Sequence, residues 1–267
     1  MELPKHLMDY HLHTYRCHHA DGDMIEYVES AVQLGITSIG FADHAPTQDH
    51  FDSEHRMSWH ELENYVMEIE NLRKQFSALT IFTGIEVDLY PGFEENLYEL
   101  QSNFPIDYII GSVHYVADQL IFNLHENNNL KKSHQSCLDE YLRGMHIGIS
   151  SGMLDVIGHL DVIKYLFPDD INTVHDALLP LFPLISKNNL IVELNTSGFR
   201  KQPKQAFPDP IILKSLAQSK IPICLGSDAH QSNEVGMDYD KAMSLLHDIE
   251  YNCKSINNSQ LHCYITE

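Results

Sequence analysis

Basic side chains are scarce in this sequence: 17 lysines and arginines stand against 38 aspartates and glutamates, a formal net charge of −21. Affinity for nucleic acid comes mostly from Lys and Arg neutralising phosphates, so a field of this sign argues against a DNA- or RNA-binding surface. Any phosphate the protein handles needs a local reversal of that potential. Long apolar runs are also missing. No stretch approaches the roughly 20 residues of a membrane span, and the opening MELPKHLMDYH lacks the apolar centre of a signal peptide. Cysteine is sparse and irregular, with Cys17, Cys137, Cys224, Cys253 and Cys263 forming no CxxC, so reduced packing thiols in a cytoplasmic protein are expected. No Gly/Ser/Pro-rich linker, low-complexity run or repeat interrupts the 267 residues, and residues 1–267 are expected to form one domain. Nothing in the composition speaks to oligomeric state.

What the chain has in plenty is histidine, 18 in all, with four inside the stretch DYHLHTYRCHHA at residues 9–20. Short runs rich in β-branched residues predict strands near 6–11, 37–43, 80–87, 107–113, 154–158, 190–195 and 221–226. Amphipathic segments predict helices near 23–34, 58–75, 93–102, 135–150, 170–187, 208–218 and 238–249. The strands are mostly continuous apolar runs, the pattern of a parallel sheet covered on both faces. Strand alternating with helix seven times implies an α/β fold. A TIM-like (β/α) barrel fits the length, and an open doubly wound sheet is the alternative. The final NCKSINNSQLHCYITE carries no clear signal.

Metal-ligand side chains recur at the strand ends. The first strand ends in His11 and His13, the second in His44, the third at Glu86 and the fourth at His114. The fifth runs into His159 and Asp161, the sixth holds Glu193 and Asn195, and the seventh is followed by Asp228 and His230. One His-x-His proves nothing, since about one is expected by chance at this histidine content. The set is informative because a parallel barrel brings every strand C-terminus to one rim. Strand side chains alternate, so His11 and His13 point the same way, about 7 Å apart at Cα, and can lean onto one ion. The pairs His159/Asp161 and Asp228/His230 are expected to repeat that geometry. Imidazole with carboxylate suits Zn, Mn or Fe.

The ordered segments HLH, HA, DH, GIEV, SVH, GHLD and GSDAH, between residues 9 and 236, resemble the PHP superfamily of polymerase-associated and histidinol-phosphatase domains. That resemblance implies a distorted seven-stranded barrel with three divalent metal ions. Carried over by position, it implies that His11, His13, Glu86 and Asp228 hold one ion. Glu86 would bridge to a second ion held by His114 and His159, and His19, His44 and His230 would hold the third. The family's spacing from the first histidine implies His19, which precedes Ala20, with adjacent His18 as the alternative. Within the superfamily, DHAP followed by RMSWHELENY, with Arg56 and Met57, resembles the histidinol-phosphatases, as does ELNTSGFRK at residues 193–201.

The implied activity is metal-dependent hydrolysis of L-histidinol phosphate, a step of histidine biosynthesis. The ions would reverse the local potential and activate the attacking water. Arg200 is the expected phosphate clamp, because a guanidinium matches two phosphate oxygens. Asp161 is the expected proton donor to the leaving alkoxide, with capping of the next helix as its structural alternative. Glu193 is expected either to orient a ligand histidine or to pair with the substrate amine. A phosphoesterase for nucleotides or other small phosphomonoesters is the rival activity. A non-catalytic partner of a polymerase is a third reading, disfavoured because no ligand position is lost.

Overall fold

The computed structural model describes residues 7–48, 51–124, 130–201, 204–254 and 261–266. The chain runs through β1 (Met8–Leu12), α1 (Met24–Gln33), β2 (Ser38–Phe41), α2 (Leu62–Gln75), β3 (Thr80–Asp88), α3 (Phe93–Asn103) and β4 (Tyr108–Ser112). A small hairpin of β5 (Tyr115–Val116) and β6 (Gln119–Leu120) precedes α4 (His134–Ser151) and β7 (Val156–Ile157). Then come α5 (Ile171–Leu178), α6 (Phe182–Lys187), β8 (Ile191–Asn195), α7 (Pro210–Gln218), β9 (Ile223–Gly226) and α8 (Tyr239–Asp248). The chain closes with β10 (Asn252–Lys254) and β11 (Cys263–Ile265).

Strand order is β1-β2-β3-β4-β7-β8-β9-β11-β10, and the first seven of these strands pair in parallel. Every residue of β2, β4, β8 and β9 is buried, as the continuous apolar runs require. The sheet curls so that its first and seventh strands meet. His13 N donates to Ala229 O (3.0 Å), and Ala229 N donates to His11 O (3.2 Å). Asp9, fully buried on β1, reinforces the join by accepting from Ser227 N (2.8 Å) and Gly236 N (2.9 Å). The curled sheet with outer helices is the TIM-like barrel, not the open doubly wound alternative.

Two expectations are corrected. The single helix expected over 170–187 is broken into α5, a 3-10 turn and α6, with Pro180 and Pro183 in the first turns of the last two. Proline carries no backbone N–H and clashes in a helix interior, so it marks new starts. The C-terminal tail forms a hairpin in which Tyr264 of β11 pairs antiparallel with Ile223 of β9. Among the described residues, no helix is long and apolar enough to cross a membrane.

Inside the barrel, the fully buried Tyr108 ring occupies space left open by Gly40 on β2 and Gly84 on β3. A Cβ at either glycine would collide with the ring. The Tyr108 hydroxyl donates to Tyr10 O on β1 (2.5 Å), so one side chain ties β4 to β1 across the interior. Overpacking of this kind costs about 1–3 kcal/mol. Gly84→Ala is therefore expected to destabilise the fold by about that amount in urea melts, and an unchanged midpoint would contradict this packing.

Candidate metal centre

Glu86 sits near the C-terminal end of β3, 1% exposed, with its two oxygens facing different histidines. Oε1 lies 3.4 Å from His114 Nε2 and 3.2 Å from His159 Nε2. Oε2 lies 3.4 Å from His11 Nε2, 3.8 Å from His13 Nε2 and 3.1 Å from His44 Nδ1. Asp228 Oδ1 comes within 3.2 Å of His13 Nε2. The His13 and His230 rings stack at 4.1 Å, and the His19 ring lies 4.7 Å from His230 and 5.4 Å from His44. His19 lines the cavity above this cluster. His18 is exposed, in left-handed backbone at the end of a 3-10 turn.

The chemistry of this set fits divalent cations. His11 Nε2 and Glu86 Oε2 are buried without a hydrogen-bond partner. Buried polar atoms are normally satisfied, so orphaned donors converging on one space suit a metal. Donor atoms of His11, His13 and Asp228 lie within 4.8 Å of one another, as do those of His13, His44 and His230, and of His44, Glu86 and His114. Buried Cys17 forms further such groups with His19 and His230 and with His13 and Asp43, a proximity that reading the cysteines as packing residues did not anticipate.

A layer of carboxylates stands behind the imidazoles. Glu193 Oε1 lies 2.7 Å from His11 Nδ1, Asp88 Oδ1 lies 2.8 Å from His114 Nδ1, and Asp43 Oδ1 lies 3.4 Å from His13 Nδ1. Each contact on Nδ1 leaves Nε2 facing the centre. Glu193 Oε2 also accepts from His159 N (3.0 Å) and Asn195 Nδ2 (3.0 Å). Glu193 is 1% exposed and a Cβ at Gly226 would overlap it, so this carboxylate is walled in against His11 and the His159 backbone. Arg56, singled out in the sequence, donates to Asp88 Oδ2 (2.8 Å) and to Ala45 O (3.1 Å).

These contacts set the charges. Burial pushes the Asp88 carboxyl up, but His114 and Arg56 outweigh it and bring the pKa to about 2. Burial likewise pushes His114 down, and Asp88 and Glu86 raise it to about 10. Glu86 is held well below the usual carboxylate range because His11, His114 and His44 outweigh its burial. Asp228 is also held well below it: Lys201, His11 and His13 outweigh burial. The carboxylates are thus anionic and ready for cations.

Above the cluster opens a cavity of about 690 Å³. Arg200, Lys201, Tyr115, Phe122 and Tyr165 share its walls. The Arg200 Nη2 donates to Ser227 O (2.7 Å). Lys201 has Nζ 3.7 Å from Asp228 Oδ2 and 4.4 Å from the Phe122 ring centroid. Asp161 is placed differently from expectation. It is fully buried, is absent from the residues lining the cavity, and its Oδ2 meets Lys164 Nζ (3.1 Å) and Asp209 N (2.8 Å). It stands at the N-cap of the next 3-10 turn without capping it. The alternation argument fails there because β7 ends at Ile157 and His159 takes a positive φ of 21°. Asp228 is left-handed too, with φ 53°. Such backbone costs roughly 1–3 kcal/mol and persists where surroundings enforce it.

The PHP domain family matches residues 9–197, most of the chain. The chain belongs to the PHP domain family. Among PHP relatives, a probable histidinol-phosphatase of Deinococcus radiodurans is 33% identical over 91% of this chain and 94% of its own length. The histidinol-phosphatase of Bacillus subtilis is 30% identical, covering 87% of this chain and 96% of its own length. A putative histidinol phosphatase of Listeria monocytogenes has the same fold, with a TM-score of 0.78 and 22% identity over 88% of this chain and 99% of its own. The histidinol phosphate phosphatase of Lactococcus lactis, solved with zinc, L-histidinol and phosphate, has a TM-score of 0.69 and 19% identity over 91% of this chain and 93% of its own.

Partners behind ligand histidines typically contribute 10–100-fold in metal affinity. Glu193→Gln is expected to weaken zinc binding by about that factor in competition with a chelator, and unchanged affinity would remove Glu193 from the centre.

Proposed function

We propose that this chain is a metal-dependent phosphomonoesterase that hydrolyses L-histidinol phosphate to L-histidinol and phosphate. The observation that carries the reading is the division of Glu86 between two histidine sets beneath a cavity walled by Arg200 and Lys201. The relatives at 33% and 30% identity, named as histidinol-phosphatases, supply the substrate. The Lactococcus protein's zinc, L-histidinol and phosphate have the chemistry this cavity suits.

The assigned ligands are His11, His13, Glu86 and Asp228 for one ion, Glu86, His114 and His159 for a second, and His19, His44 and His230 for a third, with zinc, manganese or iron as candidates. Bound there, divalent ions would act as Lewis acids on the phosphoryl group and make water nucleophilic near neutral pH. The chain's own residues do the rest. Glu193, Asp88 and Asp43 hold the imidazoles in the tautomer that leaves a lone pair facing inward. Arg200 and Lys201 bring positive charge to the cavity wall, where an otherwise acidic protein must receive a phosphate dianion. Phe122 and Tyr165 offer apolar faces to the organic half of the substrate. Asp161 is reassigned from proton donor to brace: its carboxylate holds Lys164, which in turn donates to Ala206 O (2.6 Å).

Purified protein loaded with zinc or manganese is expected to prefer L-histidinol phosphate over nucleoside monophosphates and sugar phosphates in kcat/KM. Comparable turnover across the panel would remove the substrate assignment. His11→Ala is expected to lose bound metal and activity together, and a variant active without metal would remove the mechanism.

A further inference from the structure

The nine proposed ligands are not equally enclosed. His11, His13, Glu86 and His159 are each 1% exposed, and Asp228 and His114 reach only 6% and 7%. These six belong to the first two ions and form the floor. The third set lies at the mouth: side-chain exposure is 12% for His44 and 22% for His230, and His19 is exposed. Both carboxylates of the ligand set, Glu86 and Asp228, are assigned to the floor; of the mouth histidines His44 also reaches Glu86 Oε2 (3.1 Å), and the Cys17 thiol lies near His19 and His230.

The support behind two floor imidazoles differs in kind from that behind two mouth imidazoles, while the Nδ1 of floor residue His159 is buried without a partner. On the floor, His11 and His114 rest Nδ1 on the carboxylates of Glu193 (2.7 Å) and Asp88 (2.8 Å). At the mouth, His19 and His230 rest Nδ1 on backbone carbonyl oxygens, Cys17 O (2.7 Å) and Asp228 O (3.0 Å). A carboxylate partner makes an imidazole a more basic donor than a carbonyl does, and it brings a full negative charge close to the cation. Water at the mouth also screens the attraction and offers competing ligands, whereas the floor is shut off from it.

We propose that the centre is graded: the ion at His19, His44 and His230 is bound at least tenfold more weakly than the two that share Glu86, and exchanges with solution while they stay. This rests on the ligand assignment of the proposed function, and the two can fail separately. In the zinc-loaded protein, dialysed against rising chelator, elemental analysis of zinc per chain is expected to fall in two steps. One equivalent should leave at a chelator concentration at least tenfold below that removing the other two, and His230→Ala should begin at two equivalents and lack the first step. Loss of three equivalents in a single step would overturn the grading and leave the ligand assignment standing. So would a His230→Ala protein whose remaining zinc leaves at the chelator concentration that removes the first equivalent from the parent. A folded protein that binds no zinc, manganese or iron would overturn both.

Discussion

The buried carboxylate of Glu86 is the constraint on which the rest of the rim depends. An ionised group 1% exposed is tolerable only among compensating charge. Here compensation comes from five histidines of four chain segments: His11 and His13, His44, His114 and His159. His11, His13 and His114 are in turn backed by Glu193, Asp43 and Asp88, so the polar layer continues outward to Arg56 rather than ending at a bare charge. Partly satisfied networks are costly in a low-dielectric interior, and the atoms left without a partner here, His11 Nε2, Glu86 Oε2 and His159 Nδ1, are those of the proposed ligands.

The barrel makes this layer possible by separating its two ends. Apolar strand interiors and the Tyr108 ring fill the middle, while the rim collects the residues just past each strand end. The strongly negative surface and the cation-seeking rim are therefore two readings of one charge distribution. Carboxylates dispersed along the chain set its net charge of −21, whereas carboxylates gathered at the rim call for metal.

Much of this was legible from sequence because its physical cause is local. Continuous apolar runs identify β2, β4, β8 and β9 as doubly covered parallel strands, and ligand-type residues at their ends identify the rim. The features that escaped depend on distant partners. Glu193 was read as either backing a ligand histidine or pairing with the substrate amine, but its partner His11 lies 182 positions away and no spacing rule links them. The C-terminal β11 is recognisable only against β9, since Tyr264 needs Ile223 opposite it. Asp161 shows the limit of a spacing argument. Two residues after His159 it would share a face on a strand, but the positive φ at His159 turns the chain and sends the side chain to Lys164. Lys201 was not singled out, yet its Nζ lies 3.7 Å from Asp228 Oδ2.

The join between β1 and the loop after β9 has a consequence for biosynthesis. Asp9 is bonded to backbone 218 and 227 positions further on, and His11 and His13 meet Asp228 and His230 through the same seam. Emerging from the ribosome, the amino-terminal histidines wait through most of translation for their counterparts. A nascent chain thus owns only a fragment of the cage, and capture of cations in finished form is deferred until the last quarter of the polypeptide arrives.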